Sequence, residues 1–109
     1  MKTIFDKVFK LAKNSRDSRN LILNSIIKTP CLRSRLKLDE ERELYFKAEN
    51  FQYTGSFKLR GALSKIKKVE KNTKLITASS GNHGIACSHA AKVTGHNLTV
   101  VLPEKVSKS

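Results

Sequence analysis

Residues 75–102 read LITASSGNHGIACSHAAKVTGHNLTVVL, and this stretch decides the fold. Leu75-Ile76-Thr77-Ala78 has the β-branched, apolar make-up of a short buried strand. It runs into the tight polar turn Ser79-Ser80-Gly81-Asn82, after which a helix is predicted from about His83 to Val93. Gly95 suits the end of that helix, because glycine accepts the left-handed backbone that closes many helices. Leu98 to Leu102 is a second strand, stopped by Pro103. A strand, a helix and a strand in this order form a βαβ unit, whose strands run parallel. The fold class is therefore α/β.

Working upstream, Gly55-Ser56 opens another helix, predicted from about Phe57 to Val69 with Ser56 as N-cap. Its buried stripe is Leu59, Ala62, Leu63 and Ile66, which recur at helical spacing. Asn50 to Gly55 reads as a loop, and Leu44-Tyr45-Phe46 to Ala48 as a strand. Leu32 to Leu38 reads as a brief helical turn ahead of the acidic patch Asp39-Glu40-Glu41. Thr29-Pro30 forces an extended bend, since the residue before proline is steered away from the α region. Ile4–Ala12 is amphipathic, with Ile4, Val8 and Leu11 on one face. Asn14 to Ser18 then reads as a polar break before a second short helix near Arg19–Ile27. A parallel sheet of so few strands leaves faces and edges to be covered, so the architecture reads as cut short.

The 109 residues suffice for one small domain. No uncharged apolar run approaches the ~18 residues of a membrane span. Five glycines, two prolines and no short repeat exclude collagen-like and low-complexity chains. The formal net charge is +13. It is densest from Met1 to Lys37, with ten basic against two acidic residues, while the remainder carries twelve against seven. Such an excess raises the question of nucleic acid, but no aromatic interleaving or reading element accompanies it, and a solvated lysine-rich surface is the simpler reading. Cys31 and Cys87 are too few for a disulfide scaffold and read as free thiols of a reducing, cytoplasmic compartment. The basic amphipathic N-terminus reads as a docking helix, with an organelle presequence as the alternative that Asp6 and Asp17 argue against. The sequon Asn97-Leu98-Thr99 falls within a strand and reads as chance.

Two motifs carry chemistry. In Thr54-Gly55-Ser56-Phe57-Lys58-Leu59-Arg60-Gly61-Ala62, a lysine sits in the first turn of a helix after a glycine loop. The positive end of the helix dipole disfavours a cation there. The neutral amine, which attacks carbonyls and builds Schiff bases, is then relatively favoured. A surface lysine on a lysine-rich chain is the plain alternative. In Ser79-Ser80-Gly81-Asn82-His83-Gly84, backbone N–H groups at a helix start can bind a carboxylate or phosphate. Asn82 and the serine hydroxyls add hydrogen bonds, and a simple capping turn is the alternative. His83, Cys87 and His89 invite a metal reading, but their spacing turns His89 to another face and no further ligand completes the set.

Together with Thr29-Pro30 and Lys47-Ala48-Glu49-Asn50-Phe51-Gln52, these motifs resemble the N-terminal part of fold-type II pyridoxal-phosphate enzymes, in the serine racemase and serine/threonine dehydratase branch. The resemblance covers roughly residues 26–105. It implies a partial, truncated three-layer parallel-sheet fold, with residues 1–28 as an N-terminal helical segment and 29–109 as a partial catalytic domain. It also implies the cofactor pyridoxal 5'-phosphate, a small substrate such as L-serine or L-threonine, and the homodimer typical of the family. Lys58 would be the Schiff-base lysine and then the base at the α-carbon. Asn82 would hydrogen-bond the ring's 3′ oxygen, while Ser79, Asn82 and the backbone at His83 would receive the substrate carboxylate. Ser80 stands where racemase-like members place a serine facing the lysine, and inversion at carbon requires bases on both faces. The same serine occurs in relatives that dehydrate hydroxyaspartate, so dehydration and racemisation both stay open. A hydroxyl of the anion loop is its plainer role.

Parts of the family pattern are missing. No glycine-rich phosphate loop follows Ser80-Gly81, and the Ser or Thr that contacts the pyridine nitrogen lies further along in the family. Ser34 and Thr54 match the nucleotide site of eukaryotic racemases, whereas Arg35 and Tyr53 depart from it. Without phosphate anchoring, misplacement of even about 1 Å can cost 100-fold in rate. The chain alone is expected to show little or no turnover, and a catalytically silent remnant that docks on a full-length relative is the alternative from another class.

Overall fold

The computed structural model of the chain describes residues 3–37 and 39–105. Helix α1 spans Ile4–Ile22. Its start is fixed by a reciprocal cap: the Thr3 hydroxyl accepts from the Asp6 N–H at 3.3 Å, and the Asp6 carboxylate accepts from the Thr3 N–H at 2.9 Å. The expected break at Asn14–Ser18 does not occur. Polar residues lower helix propensity by no more than ~0.7 kcal/mol each, and nearly all of these stand exposed, so the helix runs through them. In place of a second helix to Ile27 there is a 3-10 turn, Leu23–Ser25, after which Ile26 is extended.

The expected helical turn at Leu32–Leu38 is instead strand β1, Cys31–Lys37, antiparallel to β2, Glu43–Lys47. Cys31 pairs with Lys47, Leu32 with Phe46 and Arg33 with Tyr45. Pro30 starts the segment extended, and the alternation Leu32, Ser34, Leu36 against Arg33 and Arg35 has a strand period. Leu38 lies outside the described residues, as does segment 106–109.

Helix α2 spans Lys58–Ile66 and buries Leu59, Ala62, Leu63 and Ile66, the stripe its sequence predicts. It ends before Val69, in a turn closed by the Val69 N–H on the Ile66 carbonyl at 3.0 Å. Its cap residue is Phe57 rather than Ser56. The Ser56 hydroxyl is buried without a hydrogen-bond partner among the described residues and caps nothing, since the helix starts one residue later than its sequence suggests.

Strand β3, Leu75–Ala78, pairs in parallel with β4, Leu98–Val101, across helix α3, Asn82–Thr94. The register sets Leu75 beside Leu98 and Ala78 beside Val101. Gly95 closes α3 at φ 73°, the left-handed end expected of it. The core lies between α2 and α3, where Leu59 and Leu63 pack on Ala86, Cys87 and Ala90, with Ile22 joining from α1. Small residues on α3 let the leucines of α2 seat closely. Among the described residues, only one face of the β3–β4 sheet is covered. Leu75 and Leu98 pack on the core, while Ile76 is 74% exposed.

Candidate functional site

The lysine motif is set by a turn and a polar clamp. The Gly55 N–H donates to the Gln52 carbonyl at 2.8 Å, and Gly55 sits at φ 68°, a backbone that favours glycine. Upstream of the turn, the Gln52 side chain accepts from the Ile27 N–H at 2.9 Å and donates to the Ile27 carbonyl at 3.0 Å. Arg60 donates to both oxygens of Glu49, at 3.0 and 2.8 Å, and the Thr29 hydroxyl donates to the same carboxylate at 2.7 Å. The Arg60 guanidinium holds the Glu49 carboxyl below its ordinary range, against the opposing effect of burial, with help from Thr29 and Lys47. This network ties the Thr29-Pro30 bend and the Glu49–Phe51 turn to the first turn of α2, where Lys58 stands two residues before Arg60.

Lys58 is exposed, and its ammonium lies 4.9 Å from the centroid of the Phe57 ring. It lines a cleft of about 390 Å³ together with Phe57, Thr77, His83 and Cys87, over an apolar floor that includes Ile66 and Leu98. The second motif reaches this cleft from β3 and α3. His83 Nε2 is 3.1 Å from the Thr77 hydroxyl and 3.5 Å from Cys87 Sγ. Burial raises the Cys87 thiol above its ordinary pKa.

The turn before α3 is built around Ser79. Its hydroxyl accepts from the N–H groups of Gly81 at 3.2 Å and Gly84 at 3.0 Å. The Ile85 N–H donates to the Gly81 carbonyl at 3.2 Å. The N–H groups of Asn82 and His83 have no acceptor among the described residues, which leaves two donors at the positive end of a 13-residue helix. Gly84 makes the close approach possible, since a Cβ there would stand 2.8 Å from the Ser79 carbonyl oxygen.

The fold thus brings Lys58 and His83 to one cleft. Ser80 and Asn82 are exposed in the adjoining turn and are not among the lining residues, and the Ser79 hydroxyl is already engaged by backbone. His89 does not join His83 and Cys87. It stacks on Tyr53 with ring centroids 5.8 Å apart. Thr54 Oγ1 is buried with no partner among the described residues, and the Ser34 hydroxyl accepts from the Leu36 N–H at 3.0 Å. Thr77 and Cys87 escaped the reading of the sequence as cleft residues. Strand period places Thr77 on the face of Leu75, and Cys87 stands one helical turn beyond His83, so both signals were present. Among the described residues no helix is long and apolar enough to cross a membrane.

Lys58 and His83 line one cleft, and the adjoining turn holds N–H groups of Asn82 and His83 without acceptors among the described residues, so an amine for an aldehyde and donors for a carboxylate are both present and fit the reactive end of pyridoxal phosphate. Comparison with known proteins points the same way. The family model described as pyridoxal-phosphate dependent enzyme matches residues 22–109. The chain is 44% identical over 92 residues to the L-threo-3-hydroxyaspartate ammonia-lyase of Saccharomyces cerevisiae, covering 81% of this chain and 28% of that protein. It is 41% identical over 107 residues to the serine racemase of Homo sapiens, covering 92% of this chain and 29% of that protein. Among solved structures, a pyridoxal 5'-phosphate-dependent aspartate racemase superposes with a TM-score of 0.76 at 36% identity, covering 85% of this chain and 31% of that one. A threonine deaminase of T.th. superposes with a TM-score of 0.72 at 42% identity, covering 84% of this chain and 33% of that one. The chain therefore spans about a third or less of the length of these relatives.

Proposed function

The chain belongs to the family of pyridoxal-phosphate dependent enzymes, and we propose that it carries the lysine and carboxylate-binding part of a site that dehydrates L-serine or L-threonine. The observation that supports this reading most is the shared cleft of Lys58 and His83 beside the two free N–H groups of α3. Pyridoxal phosphate, when bound, supplies an electron sink for charge developing at the α-carbon. Lys58 would hold the cofactor through its amine and, as a free amine, would take the α-proton as general base. The N–H of His83, with Ser79 and the Asn82 side chain, would receive the substrate carboxylate, and Asn82 would also hydrogen-bond the ring's 3′ oxygen. The proton that Lys58 takes from the α-carbon would leave with the β-hydroxyl as water, so the elimination balances as loss of one water.

Serine racemisation is the second reading, favoured by the Ser80 hydroxyl in the same turn and by 41% identity to a serine racemase. There Ser80 would return a proton to the opposite face. Because the chain spans about 30% of its curated relatives, it is expected to turn over little by itself.

The partial reaction is the test. The chain is incubated with pyridoxal phosphate and L-serine in deuterated water, and deuterium at the α-carbon is followed beside pyruvate and D-serine. Exchange faster than with free cofactor, lost in Lys58→Ala, is the expected result. Exchange equal to that of free cofactor would overturn the proposal, and D-serine outrunning pyruvate would select racemisation.

A further inference from the structure

The basic excess before residue 38 has no part in the lysine cleft, and the fold gathers some of it around a second cavity. This cavity, of about 690 Å³, lies between the C-terminal half of α1, the end of β2 and α2. It shares only Gly61 with the lysine cleft, because Arg60 and Ser64 point from a different face of α2 than Lys58 and Ala62. Four cations line it: Arg19, Lys28, Lys47 and Arg60. The hydroxyl residues Ser15, Ser18 and Ser64 complete its polar wall.

Neutralisation of these cations is incomplete. Glu49 alone serves two of them, lying 2.8 Å from Arg60 and 3.9 Å from Lys47. Among the described residues, Arg19 and Lys28 have no carboxylate within ion-pair distance. Like charges converging on a concave, partly apolar wall repel one another and focus a positive potential into the cavity. Lys47 and Arg60 are also engaged by Thr29, so Arg19 and Lys28 are the open cations, and a single carboxylate would not serve both together with the serine hydroxyls. An anion with several oxygens spread over two centres matches the spread of lysine, arginine and hydroxyl donors, and charge-assisted bonds of this kind are the strong ones. We propose that this cavity binds a small molecule bearing two or more phosphoryl groups, with Arg19 and Lys28 as the cations that hold it. The site is separate from the lysine cleft and does not depend on the reading given to Lys58.

The test uses inorganic pyrophosphate as the probe, titrated calorimetrically into the full chain at constant ionic strength near ~0.15 M, where non-specific attraction is screened beyond about 8 Å. The pair Arg19→Gln/Lys28→Gln removes two exposed cations from the cavity. The pair Lys71→Gln/Lys74→Gln removes the same charge from an exposed segment outside it. The expected result is saturable binding that the cavity pair weakens about tenfold or more, while the control pair changes it by less than about twofold. Equal weakening by both pairs would mean attraction to net charge alone and would overturn the proposal, as would the absence of saturation. Should the cavity pair lose helical circular dichroism, amide shifts of the unaltered chain decide. Shifts centred on Arg19, Lys28, Lys47 and Ser64 support the site, and shifts centred elsewhere refute it.

Discussion

Two glycines of the chemical motifs should respond to the same substitution with opposite signs. Gly61 lies inside α2 with nothing within 4 Å of a Cβ built on it, so Gly61→Ala meets no obstacle. Removing the backbone freedom of a glycine in a helix should then stabilise the fold by about 0.5–1 kcal/mol. Gly84, in the first turn of α3, would place the same methyl group 2.8 Å from the Ser79 carbonyl oxygen and 3.4 Å from Val100. Relief requires the Ser79 carbonyl, a backbone atom, or the start of α3 to retreat by several tenths of an ångström. Overpacking of this kind costs about 1–3 kcal/mol and outweighs the helix gain. Because both substitutions share the helix gain, the two variants should differ by about 1–3 kcal/mol in unfolding free energy, the overpacking cost alone. Urea denaturation followed by circular dichroism measures it, since a chain of this size has a slope of about 1–3 kcal/mol per molar urea. The Gly84 variant should also displace the amide resonance of Gly81, whose N–H is bonded to the Ser79 hydroxyl. Equal stabilisation by both substitutions, with the Gly81 amide unmoved, would refute the tight approach that shapes the turn before α3.

Three further outcomes follow from single residues. Glu49 has its carboxyl held below the ordinary 4.5 by Arg60, so it adds stability above that unfolded value and loses it as pH falls through the lower folded one; Glu49→Gln should flatten the acid limb of a stability-against-pH curve. Leu63 is fully buried between α2 and α3, so Leu63→Ala should cost about 2–5 kcal/mol in the same denaturation assay. Cys31 is exposed, whereas Cys87 is buried with a raised thiol pKa, so a thiol reagent should label one site fast and one slowly. Cys31→Ser should remove the fast phase alone.

The elements legible in the sequence were those whose apolar spacing and packing agree. Leu59, Ala62, Leu63 and Ile66 have helical spacing and are buried together, and strand, polar turn, helix and Gly95 follow one another in 75–102 as their composition implies. Local rules failed where longer-range structure prevails. Asn14 to Ser18 look like a break, yet a helix held by its cap at Thr3 and anchored at Ile22 passes through them. Leu32 to Leu36 gain their strand form from pairing with Glu43–Lys47, a partner that no short window reveals. Ser56 has the chemistry of an N-cap, but the turn at Gly55 starts the helix one residue later. At the site, the motifs marked Lys58 and the turn before α3, while Thr77 and Cys87 entered through the folding of β3 against α2 and α3. The Arg60–Glu49–Thr29 clamp was legible only as quoted residues. Its geometry depends on segments some 30 positions apart meeting in space.

Under the proposed function, Lys58 among many lysines is the one whose amine takes the cofactor. Incubation with pyridoxal phosphate, reduction with borohydride and peptide mass mapping read this directly, because the reduced adduct stays on the amine that bound. Label should accumulate first and most on Lys58, and occupancy there should fall when L-serine, whose amine competes for the aldehyde, is added before reduction. Label spread evenly over exposed lysines such as Lys71 and Lys74, with Lys58 no higher than they are, would contradict it.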